Sequence, residues 1–478
     1  MLEKTVSGIT LIVLLVNTLN LAFSAQSVEN RVGSTSYPWL MFHYDPAHTG
    51  FTLSSAPIIN ETLWFFDTGE RVTTSPAISD GMVFIGSMDD VVYALNQSNG
   101  DLIWKTQLDR DIFFGSPAVD DERLYITATS WSGNQIPYGA VYALNKKTGQ
   151  ILWVTGVEEF CEFSSPNVLD GMVYVGSYNG VYALNCQTGA IVWHYSIEVA
   201  SSVAIADNMV FVSTWGSTDG SYILALQKDS GKLIWSSHLE GMAGSFVGSP
   251  VVADGKVFVP VITSDLEYGF IYTLDEFSGT LIWKSIRMGA IFSTPAVAYG
   301  KLFIGSYDGN LYAFNQTNGD LIWTYTTGDS IQSSPAVASG MVFVGSDDNY
   351  LYCLKEENGD VIWKYKTGHW ICSSPAISDG VVYVGSLDGK LYAIGGIIAT
   401  LDFKPNTMNL KSRGKWIIAY IELPENYSIS DVNISSIMLN KTIPVDLDAP
   451  MEIGDYDNDT VPDLMICFNW TKVTDYIL

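Results

Sequence analysis

The chain has 478 residues, 47% of them apolar and only 16% charged. That supplies enough apolar side chain for a large core and too much chain for one small layered domain. A formal net charge of −27 excludes the basic face that nucleic acid or an anionic membrane needs, and predicts a soluble acidic surface.

Residues 1–25 read as a signal peptide. Lys4 precedes a short apolar core at residues 9–16, and the small residues Ala22, Ser24 and Ala25 offer cleavage points. The apolar run is short for a membrane span, although an uncleaved anchor is the alternative, and no later stretch reaches spanning length. The expected product is secreted or held at the cell surface, with no membrane-spanning segment in the mature chain. Cys161, Cys186, Cys353, Cys372 and Cys467 show no metal spacing and read as small buried hydrophobes. Asn-x-Ser/Thr sequons at Asn60, Asn96, Asn315, Asn426, Asn433, Asn440, Asn458 and Asn469 cluster toward the C-terminus and make the chain a candidate glycoprotein.

A lead-in segment, residues 26–56, contains "WLMFHYDPAHTGFT". His43, Asp45 and His48 have ligand chemistry, but three candidates lack a fourth. Joinery is the better reading: Asp45 as a helix N-cap, Pro46 at the first helical position, Gly50 as the stop, and Phe42, Tyr44 and Phe51 covering one end of the domain that follows.

Residues 57–396 repeat. "TSPAISDGMVFIGSMDDVVYALNQSNGDLIWKT" returns as "SSPAVASGMVFVGSDDNYLYCLKEENGDVIWKY". The tryptophans recur as Trp64, Trp104, Trp153, Trp193, Trp235, Trp283, Trp323 and Trp363, and the proline column as Pro76, Pro117, Pro166, Val203, Pro250, Pro295, Pro335 and Pro375. A spacing of about 40 residues is that of a four-stranded propeller blade. Each unit divides into four short strands, with glycine at the left-handed position of a bulged hairpin before the last. Trp64 precedes the first unit and no tryptophan follows the last. The strand around Trp64 is therefore expected to complete the eighth unit and close the ring, which removes open sheet edges. The predicted fold is all-β: an eight-bladed β-propeller closed by an N-terminal strand, then a small β-sandwich-like domain.

Tyr182-Ala183-Leu184-Asn185 followed by Trp193 typifies a repeat that resembles the pyrroloquinoline-quinone (PQQ) type of propeller. That family includes quinoprotein alcohol dehydrogenases and an outer-membrane assembly lipoprotein. For the dehydrogenases, the resemblance implies an anionic quinone on the ring axis, basic side chains around it, a calcium ion, an aspartate base and a disulfide between neighbouring cysteines. This chain departs from that set. It has no adjacent cysteines, and arginine within the repeats is limited to Arg71, Arg110, Arg123 and Arg287. The axis-mouth column, three residues before the proline, reads Thr73, Phe114, Phe163, Ala200, Val247, Phe292, Gln332 and Cys372, with neither carboxylate nor cation. Arg71, Asp111, Glu162, Glu198 and His369 are the nearby charges that could reach inward. Buried anions need paired partners, so PQQ is not expected, and a PQQ-dependent oxidoreductase is the alternative to the leading reading.

That leading reading is a non-catalytic exported scaffold that binds a protein or glycan partner. Three connections between second and third strands are enlarged, and they place Trp131, Tyr138, Trp215 and Tyr268 on the face of the axis mouth. Asn96 and Asn315 fall on the opposite face. Aromatic side chains among small polar ones suit recognition; loops that pack only on one another are the competing reading.

Residues 397–478 alternate apolar positions with proline and asparagine breaks, as a second β domain, complete or cut short. Within "GDYDNDTVPDLMI", Asp455, Asp457, Asp459 and Asp463 with the Val461 carbonyl have calcium-loop spacing, and a structural Ca2+ is expected. Thr460 stands where a turn glycine is usual, and Ile466 where an EF-hand has glutamate; a solvated acidic turn is the competing reading.

Overall fold

The structure, a computed structural model, describes residues 37–130, 138–158, 161, 164–199, 201–214, 221–239, 248–263, 265–395, 400–404, 414–422, 438–439, 443–456 and 462–477. The chain divides into two compact units. One comprises Arg31–Ala56 and Trp64–Ile394, the other Met1–Asn30, Pro57–Leu63 and Gly395–Leu478.

Among the described residues the larger unit is built from eight sheets that share a four-stranded antiparallel pattern; two carry a fifth short strand, Phe51–Thr52 beside Ala336–Ala338 and Met288–Gly289 beside Tyr268–Asp275. In seven of them the strands pair in chain order; the last, Ala376–Ser378, Val381–Gly385 and Lys390–Gly395, takes its fourth strand from Glu61–Asp67. The chain's beginning thus completes its final sheet, as expected, and the architecture is a β-propeller. The first sheet shows the local logic. Its second and third strands, Met82–Gly86 and Val91–Asn96, are buried almost throughout and so read as continuous apolar runs. Its outer strand, Leu102–Gln107, buries Trp104 and exposes Leu102 and Ile103. Gly100, at φ +75°, takes the left-handed position of the hairpin turn, where its N–H donates to Asn96 O, and the register slips just beyond the turn, at Ile103.

Two belts of hydrogen bonds join neighbouring sheets. In the inner belt, the amide before the proline column donates to the hydroxyl of the equivalent residue one sheet on. Ser75 N–H reaches Ser116 Oγ at 2.9 Å, Ser116 reaches Ser165 at 3.0 Å, Ser165 reaches Ser202 at 2.9 Å, and Ser202 reaches Ser249 at 3.1 Å. Thr294 reaches Ser334 at 2.9 Å, Ser334 reaches Ser374 at 3.1 Å, and Ser374 returns to Ser75 at 2.9 Å. In the outer belt, seven of the eight tryptophan indoles donate to a backbone carbonyl in the hairpin turn of the next sheet: Trp64 to Gln97, Trp104 to Lys146, Trp153 to Cys186, Trp193 to Lys228, Trp235 to Glu276, Trp283 to Gln316 and Trp323 to Glu356. The hairpin glycine lies flat on that same indole.

In the smaller unit, one sheet orders Thr400–Lys404, Trp416–Glu422, Asp463–Asn469 and Glu452–Gly454. Ile417, Ala419 and Ile421 are buried, as are Leu464, Ile466 and Phe468 on the neighbouring strand. The sequence reading did not foresee the helix Trp470–Ile477, whose first amides at Thr471 and Lys472 are capped by Asn469 Oδ1. Among the described residues no helix is long and apolar enough to cross a membrane.

Substitutions in the hairpin and strand-turn glycines separate backbone strain from packing. Gly81 has φ +72° and open space around it, whereas a Cβ on Gly149, at the same φ, would lie 2.5 Å from the Trp104 ring. Gly81→Ala should cost about 1–2 kcal/mol through φ alone. Gly149→Ala should lose about 1–3 kcal/mol more, read as the difference in denaturant midpoint between the two variants.

Candidate functional site

The innermost strand of every sheet has a free edge toward the ring axis, and residues 39–55 use those edges in ring order. Trp39 O accepts from Ile78 N–H at 2.7 Å and Leu40 O from Val119 at 2.8 Å. Pro46 O accepts from the Asn167 side-chain amide and from Ile205 N–H, both at 2.7 Å. Ala47 O takes Val252 at 2.9 Å, Thr49 O takes Val297 at 2.9 Å, Gly50 O takes Val337 at 2.8 Å and Ser55 O takes Gly380 at 3.0 Å. One segment therefore touches all eight sheets, at the end of the inner strands opposite the axis-mouth column. It is a plug along the axis, a larger role than the end cover predicted from its aromatics.

The plug's histidines are consumed by this task. His43 is 1% exposed; its Nδ1 lies 2.6 Å from His48 O and its Nε2 3.0 Å from Pro335 O. His48, equally buried, sets Nδ1 3.3 Å from Pro250 O. Burial lowers the His43 pKa to about 4 and, with His43 alongside, that of His48 to about 3. A neutral imidazole carries one N–H, so His43 can serve only one of its two carbonyls. Asp45 does not cap a helix, because residues 41–47 form turns and bends and no helix. Its carboxylate instead accepts from Thr49 N–H at 2.9 Å and Thr49 Oγ1 at 2.6 Å. Burial raises the Asp45 pKa. These bonds to the plug's own backbone and to the inner ends of two sheets are the work of a clasp.

At the other end lies the axis mouth. Of its column, Thr73 is buried, Gln332 and Cys372 are half-buried, and Phe114 and Phe292 are exposed; Phe163, Ala200 and Val247 lie outside the described residues. The column itself holds no carboxylate, but one reaches it from a neighbouring position. Asp347, only 6% exposed, accepts from Gln332 Nε2 at 2.8 Å and lies 3.7 Å from Cys372 Sγ. Tyr307 stands close by, with its ring 4.6 Å from that of Phe292. Burial raises the Asp347 pKa, Gln332 partly restrains the rise, and Asp329 adds to it. Burial, then Asp347, pushes both the Tyr307 phenol and the Cys372 thiol up to about 12. The thiol is therefore a hydrogen-bond donor here and a poor nucleophile.

Asp347 escaped the column reading because it comes from a different column, the residue after Gly-Ser in the second-to-third-strand turn. Met88, Tyr178, Tyr307 and Leu387 occupy that position in other repeats; the single acidic exception was the available signal. Of the flanking charges, Arg71, Glu198 and His369 are exposed, Asp111 is half-buried and Glu162 lies outside the described residues. Arg110 is committed to Asp109 and the Tyr142 hydroxyl.

The described part of this site does not fit PQQ. A quinone carrying three carboxylates would meet a buried carboxyl group, with no cationic side chain among the described residues of the column. Trp131 and Trp215, from the predicted aromatic face, lie outside the described residues. Tyr138 is half-buried at the foot of Gly139–Asn145, and Tyr268 is half-buried with the Arg287 guanidinium 3.9 Å above its ring. In the acidic loop, Asp457, Asp459 and Val461 lie outside the described residues. Asp455 is exposed; Asp463 is 5% exposed and accepts from Tyr456 N–H at 2.9 Å, tying the two ends of the loop together.

Comparison with known proteins agrees with this architecture. The family model described as outer membrane protein assembly factor BamB matches residues 58–210, 198–268, 219–334 and 326–402. No curated protein matches the chain. Among solved structures, BamB from Moraxella catarrhalis aligns at 18% identity and TM-score 0.58, covering 70% of this chain and 100% of its own. The quinohemoprotein alcohol dehydrogenase from Comamonas testosteroni aligns at 15% identity and TM-score 0.59, covering 82% and 86%. A europium-containing methanol dehydrogenase aligns at 14% identity and TM-score 0.59, covering 90% and 98%. Identities this low show the fold alone.

The buried histidines make a pH prediction. Both folded pKa values lie below the ordinary value of 6.5, so their contribution is complete above that pH and is lost as pH falls through the folded values near 4 and 3. His43 alone should account for about 3 kcal/mol over that window, with Asp45, whose pKa is raised, acting in the opposite sense. Denaturant midpoints measured from neutral pH down to about pH 4 should fall steeply in the wild type and more gently in His48→Gln. Parallel slopes would refute neutral burial.

Proposed function

We propose that this chain, which belongs to the family of the outer membrane protein assembly factor BamB, is an exported, non-catalytic scaffold that binds a protein or glycan partner at the axis-mouth face of its propeller. The propeller scaffold itself is established by the fold. The finer reading is carried by Asp347: its buried carboxyl group, held by Gln332 and Cys372, suits a neutral or cationic partner group and disfavours an anionic quinone. The enlarged loops carrying Trp131, Tyr138, Trp215 and Tyr268 supply the adaptable rim. The plug supports the same assignment, since it commits the other end of the axis to structure.

One second reading also has a place for this carboxyl group, although no cationic side chain stands in the column among the described residues to receive the quinone. A carboxyl group at the axis mouth is where the PQQ-dependent dehydrogenases would need an aspartate base, so a PQQ-dependent oxidoreductase is the alternative. We further assign a structural Ca2+ to the loop of Asp455, Asp457, Asp459, Val461 and Asp463; its support is the ligand spacing and the closed loop ends.

Capture of a partner from the exported fraction should be lost in the combined Trp131→Ala and Trp215→Ala variant with thermal unfolding unchanged. If the wild type captures neither protein nor glycan, and instead oxidises alcohols in a dye-linked assay once PQQ and calcium are added, the second reading replaces the first. Titration calorimetry should show calcium binding at or below ~1 mM that Asp457→Asn weakens at least tenfold. Silence at that concentration would leave the loop a solvated turn.

A further inference from the structure

One seam between sheets breaks the charge pattern of the others. In five hairpin turns the second residue of the turn reaches back to the preceding sheet. Lys146 pairs with Asp80 at 2.9 Å, Lys228 with Asp170 at 2.5 Å, and Gln316 donates to Asp254 at 2.9 Å. Glu356 pairs with Lys301, and Gln97 reaches Ser378 at 3.4 Å. At the seam of the fourth and fifth sheets the residue is Glu276, and the turn that faces it offers Asp207. Both are acids.

Glu276 is 2% exposed, and its Oε1 is buried with no hydrogen-bond partner. Burial raises its pKa to about 7, and Asp207 and then Asp275 add to the rise; Asp275 is occupied in capping Ser278 at 2.9 Å. A buried carboxylate oxygen facing a second carboxylate is costly unless something positive lies between them.

The repeat shows what fits that place. Glu276 has the backbone frame of Lys146. Its N–H donates to Gly255 O as that of Lys146 does to Glu122 O, and its carbonyl accepts the Trp235 indole as that of Lys146 accepts Trp104. The Lys146 ammonium rests 2.9 Å from Asp80 Oδ2 and 2.7 Å from Asp120 O. Their counterparts by register are the Asp207 carboxylate and the Ala253 carbonyl. A cation standing where that ammonium stands would meet both of these and the Glu276 carboxylate as well, a hard oxygen set.

We propose that the seam between the fourth and fifth sheets binds a divalent cation of the calcium class between Asp207 and Glu276, with the Ala253 carbonyl as a third ligand. The ion does for this seam what Lys146 and Lys228 do for theirs, and it stabilises the ring by mass action on the folded state. The site is independent of the partner-binding face and of the acidic C-terminal loop.

The test is thermal unfolding of the full chain in chelator, and in calcium or magnesium chloride at ~1 mM, for the wild type, Glu276→Gln, Glu276→Lys and Asp457→Asn. The wild-type midpoint should rise saturably with the cation, and Asp457→Asn should keep that response from the seam. Glu276→Gln should lose it. Glu276→Lys, which rebuilds the Lys146 pairing, should lose it while unfolding above the wild type in chelator. Equal cation responses in the wild type and Glu276→Lys would overturn the proposal. So would a wild-type midpoint that ignores cations and instead falls between about pH 6 and about pH 8, since a proton shared by the two acids would then explain the seam.

Discussion

The ring depends on one recurrent bond: an inner-strand amide donating to a serine or threonine hydroxyl of the next sheet. The residue after each of these amides is, at all but one unit, proline, which has no N–H and fixes its own φ. The preceding amide is left as the donor that must be served at the crowded axis. The doubled Ser-Ser before that proline divides the work. The first hydroxyl holds its own sheet, as Ser373 does in donating to Gly385 O and accepting from Gly385 N–H. The second receives the neighbouring sheet's amide, as Ser75 receives Ser374. Because these groups are buried, a missing hydroxyl would orphan an amide at about 1–3 kcal/mol. The circle from Ser374 to Ser75 also makes each link support the rest.

The tryptophan belt does at larger radius what the serine belt does at the axis. An indole that donates to one carbonyl and lies against one glycine fixes both the distance and the tilt of the next sheet. The plug then serves the edges that neither belt reaches. With the interior, the seams and one end of the axis committed in this way, variation has room at the axis mouth and in the loops around it. The candidate site lies there for that reason.

The repeat is also its own control. Where seven or eight units agree, the shared residues report the demands of the fold, and a unit that departs reports something else. Asp347 is a polar exception in an otherwise apolar turn position, and it proves to be the buried carboxyl group of the mouth. Glu276 is an acid that faces another acid, where the equivalent lysines, glutamines and Glu356 meet a complementary partner across their seams. In both cases the departure leaves a buried carboxyl group near further negative charge, which a structure retains only if a proton, a donor or a cation balances it.

The sequence by itself determined the propeller repeat, the four strands of each unit, the pairing of the chain's beginning with its last sheet, and the bulged turn at glycines such as Gly100. These follow from local propensity and from a 40-residue period, and both are written in one dimension. The joinery role of His43, Asp45 and His48 was also legible, from the missing fourth ligand. Only the tertiary structure decided that the same segment runs around the axis and touches every sheet. Backbone carbonyls do that work, and any residue supplies a carbonyl, so no side-chain pattern announces it. The same holds for the mouth. The column reading aligned one position per repeat, whereas the site draws Gln332 and Cys372 from one column and Asp347 and Tyr307 from another. The packing of consecutive sheets, which no single unit encodes, brings Cys372 within hydrogen-bonding reach of Asp347, beside Gln332.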